Sequence, residues 1–393
     1  MIHYKIYNAC NELPENWDVL VKHDIFLQTA YLQALENAAP NNLELFYIGV
    51  FKNDVLVGAA VTQRVQLYLH DMFRKTDTSC FKNYVRHLIS KILKGNILVI
   101  GNLTHTGQHG LFFKRNEISQ EAFFKITQTA LYEIKSVIKA KQNKTIRMFV
   151  LKDYFENDPI HKEKDSLDTA KLHQVVMQPN MMFSIKKDWL TIEDYTAALQ
   201  KKYRDRYKRA RKKLNGIKAI ELSTEDVKNN NEILHQLYLN VSNNAKFNTF
   251  ILPENHFYSL KLQLKENFKV FGYYLEGKLV GFYTLIQNKR TLETYFLGYD
   301  SEHQYSNQLY LNMLYDMLKF GIENRFKTIV YARTAMEIKS SVGAEAKPML
   351  VYLKHTNAIM NALLKQIFKL MNPSQDWKAR HPFKPSELNK KNP

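Results

Sequence analysis

Apolar and polar positions follow the same order in two distant stretches of the chain. Residues 48–60 read IGVFKNDVLVGAA and residues 271–283 read FGYYLEGKLVGFY, and their Leu-Val-Gly triplets coincide at a constant offset of 223. In each copy two apolar runs flank a short turn, Asn53-Asp54 or Glu276-Gly277. Because these residue types tolerate the positive φ angles of tight turns, the pattern predicts two β-hairpins.

The segments that follow the two hairpins also share one order of elements. In both copies the spacing of apolar residues predicts a strand, a helix and a second strand. These lie at 96–101, 119–141 and 145–154 in the first copy and at 291–300, 305–323 and 326–334 in the second. Other helices are predicted at 27–38, 192–213, 231–240 and 254–265. The same order of elements after two matching hairpins indicates a duplicated domain.

These elements define the expected fold class. We expect an α/β (α+β) protein with two tandem domains, each a mixed central sheet flanked by helices, at residues 1–185 and 186–371. A basic C-terminal tail follows at 372–393. The length of 393 residues fits two ordinary domains, and 45% hydrophobic residues suffice for two cores.

Charge and cysteine content narrow the function. The 56 Lys and Arg against 38 Asp and Glu give a net charge of +18, which favours polyanionic partners such as nucleic acid, phosphorylated ligands or acidic lipids. Cys10 and Cys80 lie far apart without CxxC spacing, so neither a disulfide framework nor a finger-type zinc site is expected. Without a signal-peptide pattern or an apolar run of membrane-spanning length, we expect a cytoplasmic protein.

The stretch KKYRDRYKRARKKL, residues 201–214, concentrates the positive charge. Written on a helix, it carries one apolar stripe, formed by Tyr203, Tyr207, Ala210 and Leu214. A packed helix that ends near Gly216 fits this pattern better than a free arm does. The candidates to bind a phosphorylated substrate are Arg206, Arg209 and Arg211, and the same face is compatible with tRNA phosphates.

Several stretches together resemble tandem GNAT-fold acyltransferases of the Fem-like group, the peptidoglycan peptidyltransferases and their uncharacterised acetyltransferase-like relatives. Besides the first hairpin and the basic helix, they are DIFLQTAYLQALENAAP (24–40), ILVIGNLTHTGQHG (97–110), YFLGYDSEHQYSNQLYLNMLYD (295–316) and YARTAMEIKSSVGAEAKPM (331–349). The resemblance implies direct transfer of an aminoacyl or acyl group onto an amine of a cell-wall or lipid precursor. It implies no tightly bound cofactor, with aminoacyl-tRNA or acyl-CoA as co-substrate.

One segment departs from the ordinary GNAT pattern. Those enzymes hold the CoA pyrophosphate in a Gly-rich turn at a helix N-terminus, where backbone N–H groups point at the anion. The corresponding segment here, DSEHQYSNQLY (300–310), contains no glycine. This favours the Fem-like branch and leaves acyl-CoA as the alternative donor.

Candidate catalytic residues lie near the ends of the second domain's strands. The resemblance places Lys339 near the reacting ester, where an ammonium would stabilise an oxyanion or the leaving group; the alternative is a surface lysine. Arg333 lies near the end of the strand predicted at 326–334, just before Lys339. Its guanidinium is suited to binding a phosphate or a carboxylate of the substrate, or to an ion pair with Glu337. Asp300 is a candidate base or a helix N-cap, and Tyr299 precedes it as a candidate substrate ligand.

The loop after strand 96–101 supplies the first domain's candidates. Asn102, Gln108 and His109 alternate with glycines there, which suits a substrate-binding loop. His105 and His109 are four residues apart, but Gly107 between them argues against a helical metal pair, and no metal site is expected.

Three other interpretations remain open from the sequence. The amphipathic stretch 357–371 and the basic segment 378–384 suit either packing or peripheral membrane contact with a lipid-linked precursor. A nucleic-acid-binding protein would use residues 201–213, although few aromatic residues accompany those charges and no stable DNA complex is expected. A catalytically inactive scaffold would retain the same fold.

Overall fold

The computed structural model describes residues 1–67, 95–244, 248–371 and 377–385; Cys80 and most of the predicted tail lie outside them. The chain divides into two compact units, and neither is contiguous in sequence. The first unit comprises Met1–Met177, Ala245–Pro253 and Pro348–Gln375, and the second comprises Gln178–Asn244, Glu254–Lys347 and Asp376–Pro393.

The first unit is an α/β layer structure. Its strands in chain order are β1 (Ile2–Tyr7), β2 (Leu43–Lys52), β3 (Val55–Leu67), β4 (Gly95–Ile100), β5 (Leu111–Phe113) and β6 (Ile146–Phe155). Its helices up to this point are α1 (Trp17–Leu20), α2 (Thr29–Asn37), α3 (Gln120–Gln142) and α4 (Lys164–Thr169). The strand β7 (His173–Ser184) begins in this unit and ends in the second.

The second unit repeats this order of elements. Its helices are α5 (Ile192–Ala198), α6 (Lys201–Lys213), α7 (Thr224–Asn229), α8 (Asn231–Ser242), α9 (His256–Leu264), α10 (Ser301–Ser306), α11 (Leu309–Glu323) and α12 (Met336–Ser341). Its strands are β8 (Lys218–Glu221), β9 (Phe268–Leu275), β10 (Lys278–Asn288), β11 (Thr291–Tyr299) and β12 (Thr328–Val330). The chain then enters β13 (Glu345–His355), whose residues from Pro348 onward belong to the first unit together with α13 (Ala358–Met371).

Each unit has one mixed sheet, which confirms the predicted fold class. The strand order is β1-β2-β3-β4-β6-β13 in the first unit, with β5 beside β3, and β7-β12-β11-β10-β9-β8 in the second. Both sheets contain a parallel pair, β4 with β6 and β11 with β12, among antiparallel neighbours. Apolar clusters fill the space between these sheets and their helices.

Both predicted hairpins are confirmed, turn residues included. Asn53 and Asp54 connect β2 to β3 with φ angles of 48° and 63°. Glu276 and Gly277 connect β9 to β10 with φ angles of 49° and 80°. Positive φ at both central residues matches the right-handed twist of the flanking strands, so the turn chemistry determined these hairpins locally.

Two segments that were each predicted as one continuous helix contain a break in the structure. The helix predicted at 192–213 is two helices, α5 and α6, because Leu199 and Gln200 adopt extended backbone between them. The helix predicted at 305–323 is preceded by the separate α10, and the left-handed Gln308 (φ 50°) separates α10 from α11. Periodicity continues across such breaks, so the apolar pattern alone missed them.

The strand predictions failed mainly for strands whose pairing strand is distant in the sequence. The strand expected at 326–334 is shorter in the structure, Thr328–Val330, and β1, β5, β7 and β13 were not predicted. The amphipathic stretch 357–371 forms the helix α13, in which Ile359 and Leu363 are exposed while Leu364 is buried. No helix in the described ranges is both long and apolar enough to cross a bilayer.

Candidate functional site

The parallel strands β11 and β12 separate from each other in the second unit. They pair only from Thr291–Thr328 to Glu293–Val330, whereas β11 continues to Tyr299. Beyond Val330 the chain pairs with β7 through Tyr331 N–H and Met181 O (2.8 Å) and then turns into α12. Such an opening at the C-terminal ends of parallel strands is where α/β proteins bind ligands.

The turn between β12 and α12 has an unusual backbone. Ala332, Thr334 and Ala335 have φ angles of 57°, 66° and 46°. Left-handed conformation costs a non-glycine residue about 1–2 kcal/mol, and more for β-branched Thr334. Strain of this kind persists only where surrounding contacts hold it, and it concentrates at functional sites.

Lys339 makes the contacts that hold this turn. Its side chain is 5% exposed, and its Nζ donates to Arg333 O at 2.6 Å and to Ala332 O at 3.3 Å. Burial disfavours the ammonium and lowers the pKa of Lys339 to about 7. The alternative of a surface lysine is therefore wrong, and the amine lies against the turn that follows β12.

Arg333 and Glu337 flank this amine. Arg333 is half-buried and supplies the closer of the two carbonyl acceptors. Glu337 accepts from Arg380: Nε is 3.0 Å from Oε1, and a guanidinium NH2 group donates to the same oxygen. The sequence did not predict the Glu337–Arg380 pair, since 43 residues separate its members.

Asp300 and Tyr299 lie at the end of β11. Asp300 is the N-cap of α10, and its Oδ1 accepts from Glu302 N–H at 3.0 Å. The cap alternative for Asp300 is thus confirmed, and a catalytic role for it stays a prediction. Tyr299 is half-buried, and burial raises its pKa, so its hydroxyl is a neutral donor at physiological pH.

The basic helix α6 packs through its apolar stripe as predicted. Ala210 is fully buried, and Tyr203, Tyr207 and Leu214 pack against the second unit's core. Arg211 faces inward, donating to Asp316 Oδ1 at 2.5 Å and to Asn312 Oδ1 at 3.0 Å.

The three arginines of α6 therefore have different environments. Tyr273 OH donates to the other oxygen of the Asp316 carboxylate, so Arg211 belongs to a packed polar cluster. Arg206 is half-buried and Arg209 is exposed. These two remain the candidates of α6 for an anionic substrate.

The first unit's loop 101–110 is built around buried hydrogen bonds. Asn102 is 2% exposed; its Nδ2 donates to Tyr31 OH at 2.8 Å, and its Oδ1 accepts from Thr104. Gly101 N–H donates to Val61 O at 3.1 Å. Asn102 thus shapes the loop, and nothing in the sequence signalled Tyr31 as its partner.

Gln108 and His109 come from the same loop and contact two different acidic residues. Gln108 Nε2 donates to Asp158 Oδ2 at 2.5 Å, and His109 Nδ1 lies 2.8 Å from Asp24 Oδ2. Burial raises the pKa of Asp24, but the charge and hydrogen bond of His109, the Phe26 N–H and the charge of His23 together lower it, so the net shift is downward. The His109 ring also packs on Phe26, with centroids 4.4 Å apart.

Comparison with known proteins identifies the domain type. Residues 201–340 match the acetyltransferase (GNAT) domain family. No curated protein matches the sequence. The match covers the basic helix, the second hairpin, the strand opening and Lys339.

Solved structures are similar over almost the entire chain. FemX superposes with a TM-score of 0.52 at 11% identity, covering 92% of this chain and 100% of FemX. A tandem GNAT protein from the clavulanic acid biosynthesis pathway gives 0.49 at 10%, covering 91% and 99%. L-PGS from Bacillus licheniformis gives 0.46 at 9%, covering 86% and 94%. The family match shows a GNAT acetyltransferase domain at residues 201–340, and the likeness to FemX shows that the two proteins share a fold over almost the whole chain.

Proposed function

We propose that this protein transfers an aminoacyl group directly from aminoacyl-tRNA to an amine of a cell-wall or lipid precursor. The observation that carries the proposal is the buried Lys339 amine at the C-terminal end of a GNAT domain's parallel strands. The similarity in fold to FemX over 92% of the chain agrees with the resemblance of the sequence to the Fem-like group.

The chemistry requires a group that handles one proton near neutral pH. As the acceptor amine attacks the ester carbonyl, a C–N bond forms, the C–O bond breaks, and a proton must pass from nitrogen to the leaving hydroxyl. An acid–base group works best when its pKa lies near the working pH, and the pKa of Lys339 is about 7. As an ammonium, Nζ has three N–H donors, and its two carbonyl bonds leave one for a substrate oxygen.

The start of α11 supports tRNA over acyl-CoA as the donor. Backbone N–H groups at this helix N-terminus would be the pyrophosphate ligands of an ordinary GNAT enzyme. Here Tyr310 N–H donates to Gln304 Oε1 at 3.1 Å, so the preceding segment supplies a side-chain cap. The glycine-free turn thus places its own polar group where an anion would bind.

The charge of α6 supports an anionic substrate. Lys201, Lys202, Lys208 and Arg209 are exposed, and Arg206 is half-buried. We assign Arg206 and Arg209 to phosphate binding, either on tRNA or on a phosphorylated acceptor. Contacts of this kind make the logarithm of the affinity fall linearly with the logarithm of the salt concentration.

A transfer assay tests both the proposed aminoacyl-tRNA donor and the role of Lys339. Purified full-length protein is incubated with total tRNA charged with radiolabelled amino acids, or with radiolabelled acetyl-CoA, and with extracts of cell-wall and lipid precursors. Label is expected to move from tRNA. Lys339→Met should lower the rate by about 100-fold or more, since acid–base groups contribute factors of about 10²–10⁴.

Lys347→Met is the matched control, because Lys347 is an exposed lysine of the same unit, paired with Glu345. Its rate should stay within about twofold of wild type, as for most surface substitutions. Transfer from acetyl-CoA but not from tRNA would replace the proposed donor. An unchanged rate in Lys339→Met would remove Lys339 from the mechanism.

A further inference from the structure

We propose that residues 377–385, here called the C-terminal strap, are a positioning element for Lys339, with Arg380 as the positioning residue. The inference rests on the proposed role of Lys339. It concerns a segment that the sequence assigns only to a basic tail. The strap contacts the helix that carries Lys339 and is itself anchored at a separate point of the second unit.

An aromatic anchor holds the strap. The Phe383 ring lies among Phe183, Trp189 and Tyr195, at centroid distances of 6.2, 5.8 and 5.9 Å. Gly343, with φ 105°, makes room for it, since a Cβ there would lie 2.6 Å from the Phe383 ring. Burial of an aromatic ring removes a large apolar area from water, so this one side chain holds the strap firmly on the second unit.

Backbone hydrogen bonds hold the strap at the start of the basic helix. Gln200 N–H donates to Pro382 O at 2.9 Å, and Gln200 Nε2 donates to His381 O and Phe383 O at 3.1 and 2.8 Å. Lys384 N–H donates to Ala198 O at 3.1 Å. These bonds occupy the extended break between α5 and α6, which explains why the predicted single helix is interrupted there.

Arg380 connects this anchored strap to α12. Its backbone N–H donates to Ser340 Oγ at 3.1 Å, and its guanidinium binds Glu337 through Nε and an NH2 group. Ser340 and Glu337 lie one residue after and two residues before Lys339. The strap therefore contacts the same turn of helix that presents the buried amine.

The helix needs such support. At six residues, α12 is far shorter than a helix that is stable by its own hydrogen bonds. It follows three left-handed residues, and it holds a buried amine; both are unfavourable without tertiary contacts. Losing Arg380 should let α12 move and admit water to Nζ, leaving the carbonyl contacts in place only part of the time.

The test measures the state of the Lys339 amine without any substrate. Full-length protein labelled with [ε-¹³C]lysine is titrated by NMR, and the Lys339 signal is assigned from its loss in Lys339→Arg. Burial is what lowers the pKa of Lys339, and the charged residues of the segments around it are Arg333 in the turn, Glu337 on α12 and Arg380 on the strap. The variants are Arg380→Ala, Arg380→Lys as a conservative rescue, and Lys378→Ala as a control on an exposed strap residue.

In wild type and Lys378→Ala the titration midpoint should lie at about 7. Arg380→Ala should raise the midpoint by about one unit or more, because hydration of the ammonium restores its ordinary pKa. Arg380→Lys should restore at least half of that shift. Phe383→Leu keeps Arg380 but loosens the anchor, so it should shift the midpoint in the same direction.

A folded Arg380→Ala protein with the wild-type midpoint would overturn the strap proposal, even if Lys339→Met abolishes transfer. The strap proposal also fails if Arg380→Ala unfolds while Phe383→Leu is folded with an unchanged midpoint. If the midpoints of Arg380→Ala and Phe383→Leu shift as expected but the wild type shows no transfer activity, the proposed function is refuted. The positioning of Lys339 by the strap is then still supported. Where transfer is detected, Arg380→Ala should lower kcat about tenfold or more with KM within about twofold.

Discussion

At the scale of the residue, Lys339 is a group whose protonation the fold changes near neutral pH. Its amine is buried against two carbonyls, and its pKa falls to about 7 from an ordinary value of 10.5. Below pH 7 folded and unfolded states both carry the proton, and the full cost of burying the ammonium is present. Between pH 7 and 10.5 the unfolded state binds more protons, so stability rises with pH.

This linkage predicts how Lys339→Met behaves. The free energy of unfolding of the wild type, minus that of Lys339→Met, should increase by about 2 kcal/mol between about pH 7 and pH 9, at up to about 1.4 kcal/mol per pH unit. Urea denaturation of both proteins at both pH values gives this difference. The tyrosines with raised pKa values are the same in both proteins, so their contribution to the pH dependence cancels. A pH-independent difference would contradict the lowered pKa.

At the scale of the element, the helix α6 has two roles on two faces. Its apolar stripe and Arg211 pack against the core, and Arg211 shares the Asp316 carboxylate with Tyr273. Arg209 lies on the exposed face. The helix thus combines a structural ion pair with a charged surface, although both consist of the same residue type in the sequence.

Arginine substitutions on the two faces should therefore differ in effect. Arg211→Met should lower the free energy of unfolding by about 2–3 kcal/mol, because it leaves the Asp316 carboxylate in a largely buried position without its cation. Arg209→Met should change it by less than about 0.5 kcal/mol. Urea denaturation of both variants, with an Arg211/Asp316 double-mutant cycle, measures this. Equal effects would show that Arg211 is not part of the packed cluster.

At the scale of the whole molecule, most of the strand that follows each repeat lies in the other unit. Residues 178–184 of β7 follow the first repeat but pair with β12 in the second unit. The part of β13 after Pro348 follows the second repeat but pairs with β6 in the first unit, from Met349–Phe155 to His355–Met148. A duplicated sequence therefore folds into two units that are each discontinuous.

This exchange predicts that the first repeat cannot fold alone. A fragment of residues 1–177 lacks the strand that covers β6, so it exposes a long apolar edge and the part of the core that Tyr352 and Leu353 fill. We expect aggregation, or non-cooperative unfolding in urea, whereas the full chain unfolds cooperatively. A soluble fragment with a sharp transition and protected β6 amides would contradict the importance of this strand.

The sequence by itself determined the features that depend on near neighbours. Turn residues and alternation defined both hairpins, helical period defined the stripe of α6, and the repeat at offset 223 indicated the duplication. The hairpins and the stripe rest on residues within one or two turns of a helix or a strand pair, where covalent spacing dictates the geometry, and the duplication follows because one local pattern occurs twice.

Only the tertiary structure decided the features that join distant residues. Whether Lys339 is exposed or buried depends on α12, on the turn at 332–335 and on a strap about 40 residues later. The same applies to Arg211, whose partner is Asp316, and to Asn102, whose partner is Tyr31. Burial and pairing of polar groups are properties of the packed chain, because water competes for those groups until packing excludes it.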